Sequence, residues 1–101
     1  MKPADSLLIE DDDLRAIVMM FVDEMPERAA RFRLLLDSDD LTELMRFSHQ
    51  FKGSAGSYGF AEISQTAADI EAAVKDNKPI DQIKQLTEKI IKQCNSFSKN
   101  E

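Results

Sequence analysis

The fold is decided by residues 46–60, which read Arg-Phe-Ser-His-Gln-Phe-Lys-Gly-Ser-Ala-Gly-Ser-Tyr-Gly-Phe. This stretch contains His49, the only histidine of the 101-residue chain, together with all three glycines. At about 100° per residue in a helix, its apolar side chains fall on one stripe and His49 points the opposite way. The stripe consists of Leu44, Phe47, Phe51, Ala55 and Tyr58. The spacing therefore predicts a helix that packs through one face and holds the imidazole in solvent.

Two glycines, Gly53 and Gly56, interrupt this predicted helix, and each costs about 0.8–1 kcal/mol relative to alanine. Gly-Ser-rich runs are usually loops, so one interpretation ends the helix at Lys52. The apolar stripe continues past the first glycine without a change of register, which favours an unbroken helix. Bare backbone beside His49 then indicates that a bulky partner approaches there. Gly59 is suited to end the helix in a left-handed turn.

Composition indicates one all-α domain that spans residues 1–101, with a lead-in at 1–10. Good helix formers are common, whereas three glycines and three prolines provide few tight turns. The net charge of −6 opposes binding to nucleic acid or to an anionic membrane. A single cysteine, Cys94, excludes an internal disulfide, and no apolar run approaches the ~20 residues of a membrane span. We expect a cytoplasmic monomer.

Apolar residues recur at three-to-four-residue intervals through the first third of the chain, which predicts a long helix. Pro26 interrupts the pattern because it lacks a backbone N–H and clashes with the preceding turn. We therefore expect two segments, 11–24 and 26–37, with a kink or break near Met25. Leu7, Leu8 and Ile9 in the lead-in are too apolar to stay in water, and we expect them to cover one end of the fold.

Three further helices are predicted after residue 37. Asp40 with Glu43 three residues later is typical of a capping box, and it opens a helix over 40–58. A helix from Phe60 ends near residues 76–78, and Pro79 suits the first turn of the last helix. Short connections imply antiparallel neighbours, so we predict an up-down four-helix bundle.

The string His49-x-x-Lys52-Gly53-Ser54-x-x-x-x-Gly59 resembles the signature of histidine-containing phosphotransfer (HPt) domains. The helix order over nearly the whole chain is similar as well. The resemblance implies a four-helix bundle with a phosphorylatable histidine on its second long helix. It also implies partners: the receiver domain of a response regulator, a hybrid sensor histidine kinase, or both.

The chemistry of His49 suits a phosphoryl acceptor. Imidazole titrates near neutral pH, so a neutral ring nitrogen is available there, and histidine forms covalent intermediates. Lys52 lies one turn away on nearly the same face, where its ammonium can stabilise phosphoryl charge. The positions four residues either side are Met45 and Gly53, which offer no general base. We therefore expect the partner to supply carboxylates, metal and alignment.

A docking surface is predicted around the histidine, formed by Met45, Arg46, Gly53 and Gly56. On the following helix, Gln65, Glu71 and Lys75 are placed where they could approach the ring. Members of the family often carry glutamine at the position of Glu71, and a carboxylate there would repel phosphate unless it turned away or paired with Lys75. The predicted site therefore omits Glu71.

Other chemistry is disfavoured. One histidine and one distant cysteine cannot supply a four-ligand zinc site, so we expect no metal and no cofactor. The chain has no phosphate-cradling Gly-rich loop of the nucleotide-binding kind. We expect a phosphocarrier rather than an enzyme. The alternative is a helical adaptor that binds signalling partners through the His49 face without being phosphorylated.

Overall fold

A computed structural model describes residues 12–98, which fold into five helices. The helices are α1 (Asp12–Asp23), α2 (Met25–Asp37), α3 (Leu41–Ser57), α4 (Ala61–Lys75) and α5 (Ile80–Ser98). Because α1 and α2 form one bent arm, the arrangement is a four-helix bundle, as predicted. Contacts of α2 and of α4 with both α3 and α5 close the ring. The expectation for Leu7, Leu8 and Ile9 lies outside the described residues.

The first arm breaks at Glu24, one residue before α2 begins, and the bend measures 40°. Pro26 lies in the first turn of α2, where the missing N–H has no intrahelical partner to lose. The chain stays hydrogen-bonded through the bend, since Glu24 donates its N–H to the Met20 carbonyl at 3.1 Å. The predicted break near Met25 is confirmed.

The start of α3 is capped by Asp40, whose carboxylate accepts the backbone N–H of Glu43 at 3.2 Å. The other half of the predicted capping box is replaced. The Asp40 N–H donates to the Leu35 carbonyl at 3.2 Å, and the Glu43 carboxylate forms an ion pair with Arg46. The cap therefore fixes where α3 begins without the reciprocal bond.

The helix α3 runs without interruption through Gly53 and Gly56 to Ser57, so the interpretation that ended it at Lys52 is wrong. It ends where Gly59 takes a φ of 87°, a left-handed conformation that glycine adopts without strain. The N–H of Phe60 then donates to the Ala55 carbonyl at 2.9 Å, which satisfies one of the last free carbonyls of α3.

An aromatic cluster between the first arm and α3 sets how α3 is rotated. The ring centroid of Phe51 lies 5.8 Å from that of Phe21 and 5.5 Å from that of Phe32. This places the predicted apolar stripe of α3 in the core, with the opposite face outward. On α1, Val18 and Phe21 are buried, whereas Ile17, the residue before Val18, is 47% exposed.

The turn between α4 and α5 follows the prediction with one correction. Asn77 has a φ of 54°, which marks the end of α4 after Lys75. Pro79 does not lie inside the first turn of α5 but directly before it. Its carbonyl accepts the N–H of Gln82 at 2.9 Å, so proline acts there as the residue that caps the helix.

Candidate functional site

His49 lies on the outer face of α3, and its side chain is 63% exposed. Ser48, the residue before His49, is buried, and so is Phe51, two residues after His49. Helical geometry therefore turns the imidazole away from the core, and the prediction that it projects into solvent is confirmed.

A buried carboxylate from the neighbouring helix contacts the imidazole. Glu71 on α4 places Oε2 2.9 Å from His49 Nδ1, and its own side chain is only 9% exposed. Its other oxygen, Oε1, accepts a hydrogen bond from Lys52 Nζ at 2.9 Å. The ammonium of Lys75 lies 3.2 Å from Oε2. One carboxylate thus gathers the ring and two ammonium groups, a set we call the Glu71 cluster: His49, Lys52, Glu71 and Lys75.

These contacts lower the pKa of Glu71 to about 2. The hydrogen bond from Lys52 is the largest cause, the bonds from Lys75 and His49 add to it, and burial opposes them. The carboxylate is therefore ionised at neutral pH, and an ionised carboxylate only accepts hydrogen bonds. It follows that Nδ1 of His49 carries the proton. In the neutral ring the acceptor nitrogen is then Nε2, on the edge away from Glu71.

The two glycines of α3 have different surroundings. A Cβ at Gly56 would lie 3.3 Å from Ser64 Oγ on α4, whereas a Cβ at Gly53 would meet nothing within 4 Å. The bare backbone of Gly56 is therefore explained by close packing of α3 against α4. Gly53 has no such contact with the described part of the chain, so it leaves bare surface on the His49 side.

A groove lies between α3 and α4 on the side of their connecting turn and shares Lys52 with the Glu71 cluster. It is lined by Lys52, Gly56, Gly59, Ala61, Ser64, Gln65 and Ala68. Most of these side chains are small, and Lys52 belongs to both the groove and the cluster.

A comparison with protein-family models matches the Hpt domain over residues 16–96, which is most of the chain. The chain belongs to the Hpt domain family. Hpt domains serve histidine phosphotransfer in two-component relays, where they interact with receiver domains or kinases, and they are phosphocarriers rather than enzymes. A search of curated proteins and a search of solved structures each returned no match.

In this Hpt domain the predicted site residues divide into two groups. His49 and Lys52 both contact Glu71, so the structure brings them together. Of the residues predicted to form a docking surface, Met45 is half-buried, while Arg46 is exposed and paired with Glu43. Gln65 faces solvent and donates to Asp69 at 2.9 Å on its own helix.

Glu71, which the predicted site of this Hpt domain omits, lies 2.9 Å from the imidazole. The carboxylate does pair with Lys75, which was the condition for tolerating it, but it also contacts the ring directly. The predicted repulsion concerned a carboxylate that faces the phosphoryl group. Glu71 instead lies against Nδ1 and leaves the other edge of the ring free. One sequence feature pointed to Glu71: it stands four residues before Lys75 on the same helix, a spacing that favours an ion pair.

Two negative findings apply to residues 12–98. No helix in that range is long and apolar enough to cross a membrane. Within the same range, His, Cys, Asp and Glu side chains form no group of three or more that could hold a metal ion.

Proposed function

We propose that this Hpt domain is a phosphorelay intermediate. His49 accepts a phosphoryl group from a receiver-domain aspartate or a sensor kinase and passes it to a response regulator. The observation that carries the proposal is the arrangement at the ring. Nδ1 lies 2.9 Å from a buried carboxylate, while the side chain of His49 as a whole is 63% exposed.

The contact with Glu71 prepares Nε2 as the nucleophile. A proton held on Nδ1 leaves the lone pair of the neutral ring on Nε2, where an incoming phosphorus atom can reach it. The carboxylate acts as the third group that orients the ring, in the way a buried aspartate orients the histidine of a catalytic triad. Glu71 is therefore a positioning residue for His49.

The transfer step moves the phosphoryl group from the receiver aspartate to the imidazole. The lone pair of His49 Nε2 attacks the phosphorus of the receiver acyl phosphate, and an N–P bond forms as the P–O bond to the aspartate breaks. The aspartate leaves as a carboxylate, and the ring keeps its Nδ1 proton and becomes a phosphorylated imidazolium. Its positive charge faces the anionic Glu71, which favours its formation. Donation to the next receiver is the reverse of this step.

Lys52 and Lys75 provide positive charge close to the ring that carries the phosphoryl group. Both ammonium groups are held by Glu71 at 2.9 and 3.2 Å and remain partly exposed. A phosphoryl dianion on the ring attracts either ammonium, and Lys52 lies on the same helix as His49. We assign Lys52 the larger part in stabilising the phosphoryl group, as the sequence predicts, and Lys75 a supporting one.

The remaining parts of the reaction are assigned to the partner. The metal and the activating carboxylates are assigned to the receiver domain, because phosphoryl transfer depends on positioning and on charge stabilisation by metal ions. We propose that Met45, Arg46, Gly53 and Gly56 form the surface on which it docks. Gly53 contributes most directly, because nothing in the described chain occupies the space above it.

Incubation with a phosphorylated receiver domain tests this function. We expect a protein-bound label that is labile in acid and stable in base, and we expect it to be absent from His49→Gln. Gln50→Ala, which changes the neighbouring exposed residue, is the matched control and should label normally. Lys52→Ala should label more slowly than Lys75→Ala. Absence of label with every receiver tested, from a protein that is folded by circular dichroism, would favour the adaptor instead.

A further inference from the structure

Lys52 is joined to α4 at two points. Its backbone carbonyl accepts a hydrogen bond from Ser64 Oγ at 2.9 Å, and its ammonium donates to Glu71 Oε1 at 2.9 Å. Ser64 and Glu71 are seven residues apart, about two turns, so they lie on nearly the same face of α4. A single residue of α3 thus fixes α4 both at the Glu71 cluster and two turns away from it.

Gly56 makes room for the first of these bonds. In a helix the carbonyl of Lys52 is paired with the N–H of the residue four positions on, which is Gly56. The Ser64 hydroxyl reaches the same carbonyl from the side, next to the Gly56 Cα. A Cβ on Gly56 would stand 3.3 Å from that hydroxyl, closer than ordinary van der Waals contact. Alanine at position 56 would therefore require the Ser64 hydroxyl, or α4 with it, to shift by a few tenths of an ångström.

We propose that Ser64 is a positioning residue for the His49–Glu71 pair. Its hydroxyl, admitted by Gly56, sets the register of α4 against α3 that keeps Glu71 within hydrogen-bond distance of His49 Nδ1. A hydrogen bond weakens steeply when its atoms move apart or its angle bends, so a small shift of α4 is enough to release the ring. The consequence for phosphotransfer rests on the proposed function, whereas the geometry of the pair does not.

The test is the imidazole spectrum of the unphosphorylated protein. Long-range ¹H–¹⁵N correlation of the His49 ring reports which nitrogen carries the proton. In the parent protein we expect the neutral ring to show one protonated nitrogen, Nδ1. In Ser64→Ala we expect the two nitrogen signals to move toward each other, as they do when both tautomers are populated. Ser57→Ala is the matched control, because its hydroxyl bonds to a carbonyl of its own helix at 2.8 Å.

A second pair of variants separates register from folding. Gly56→Ala should reproduce the ring spectrum of Ser64→Ala, although alanine is the better helix former. Gly53→Ala adds the same methyl group where nothing lies within 4 Å, so its ring spectrum should match the parent. In the Ser64→Ala background the Gly56→Ala change should move the ring signals little further, because the hydroxyl that the methyl would displace is already gone.

Three results would overturn the inference. The first is an unchanged ring spectrum in folded Ser64→Ala, and the second is an unchanged one in Gly56→Ala. The third is an equal change in Ser57→Ala or Gly53→Ala. The outcome is independent of the relay, since the spectra need no phosphodonor. If the spectra behave as expected and no receiver labels the protein, the positioning role stands and the proposed function falls.

Discussion

Replacing Glu71 with glutamine removes one charge and keeps the shape of the side chain. Because Glu71 has a pKa of about 2 instead of 4.5, its folded-state contacts favour the ionised form by about 3 kcal/mol before screening. Its three partners are 35–63% exposed, so solvent screens much of this energy. We therefore expect Glu71→Gln to lower the free energy of unfolding at pH 7 by about 1–2 kcal/mol.

The loss should depend on pH in a defined direction. Glu71 has a lowered pKa in the folded state, so its contribution is fully present above the unfolded value of about 4.5 and disappears as the pH falls toward about 2. Urea unfolding of both proteins between pH 7 and pH 3 measures the difference. We expect a constant gap from pH 7 to about pH 5 and less than half of it at about pH 3.

Glu43→Gln is the control, because Glu43 forms an exposed ion pair with Arg46 within one helix. Such pairs contribute about 0.5 kcal/mol or less, so the control should show a much smaller gap. A gap for Glu71→Gln that is no larger than the control at pH 7 would refute the reasoning. So would a gap that stays the same down to pH 3, since the lost energy would then not come from the charge.

Three further predictions concern residues around the cluster and in the core. Gly53→Ala should raise the free energy of unfolding by up to about 1 kcal/mol, while Gly53→Glu should keep the helical circular dichroism signal and lose phosphotransfer from a receiver. Ser48 Oγ is buried and has no hydrogen-bond partner within residues 12–98, so Ser48→Ala should leave stability in urea unchanged or increase it by about 1 kcal/mol. Burial raises the pKa of Cys94 to about 12, so iodoacetamide at pH 8 should label it far more slowly in the folded protein than in urea; equal rates would contradict the buried position.

The helices of this chain were predictable because each is encoded locally. The apolar stripe of α3, the proline at the bend and the cap at Asp40 each act within a few residues, and each appears where its pattern placed it. The rotation of α3 was predictable for the same reason. Once Phe51 is assigned to the core, the direction of His49 follows from 100° per residue.

The sequence also allows a prediction of which residues of α3 and α4 lie at the same height along the bundle. His49 lies eight residues before the end of α3, about 12 Å along the helix, and Glu71 lies ten residues after the start of α4, about 15 Å along it. In antiparallel helices joined by a three-residue turn, these two residues stand at similar heights. The end of α3 and the start of α4 are therefore enough to place Glu71 at the height of the His49 ring.

What the sequence did not reveal is how α4 is rotated and how closely it approaches α3. Glu71 follows Ile70 in the core stripe of α4, so a rotation of one residue decides between core, cluster and solvent. That rotation depends on contacts between helices, such as Ser64 with the Lys52 carbonyl. A glycine read alone on α3 predicts open surface, and only the opposing helix distinguishes Gly56, which admits α4, from Gly53, which faces outward.

A carboxylate at position 71 acts on the imidazole differently from the glutamine that members of the family often carry there. A glutamine amide offers one acceptor and two donors, so it can bind either tautomer of the imidazole. An ionised Glu71 only accepts, and it therefore selects the tautomer with the proton on Nδ1. This selection requires the carboxylate to stay charged although it is buried, which Lys52 and Lys75 ensure. The two lysines thus have a part in the resting protein, before any phosphoryl group arrives: they hold the charge that orients His49.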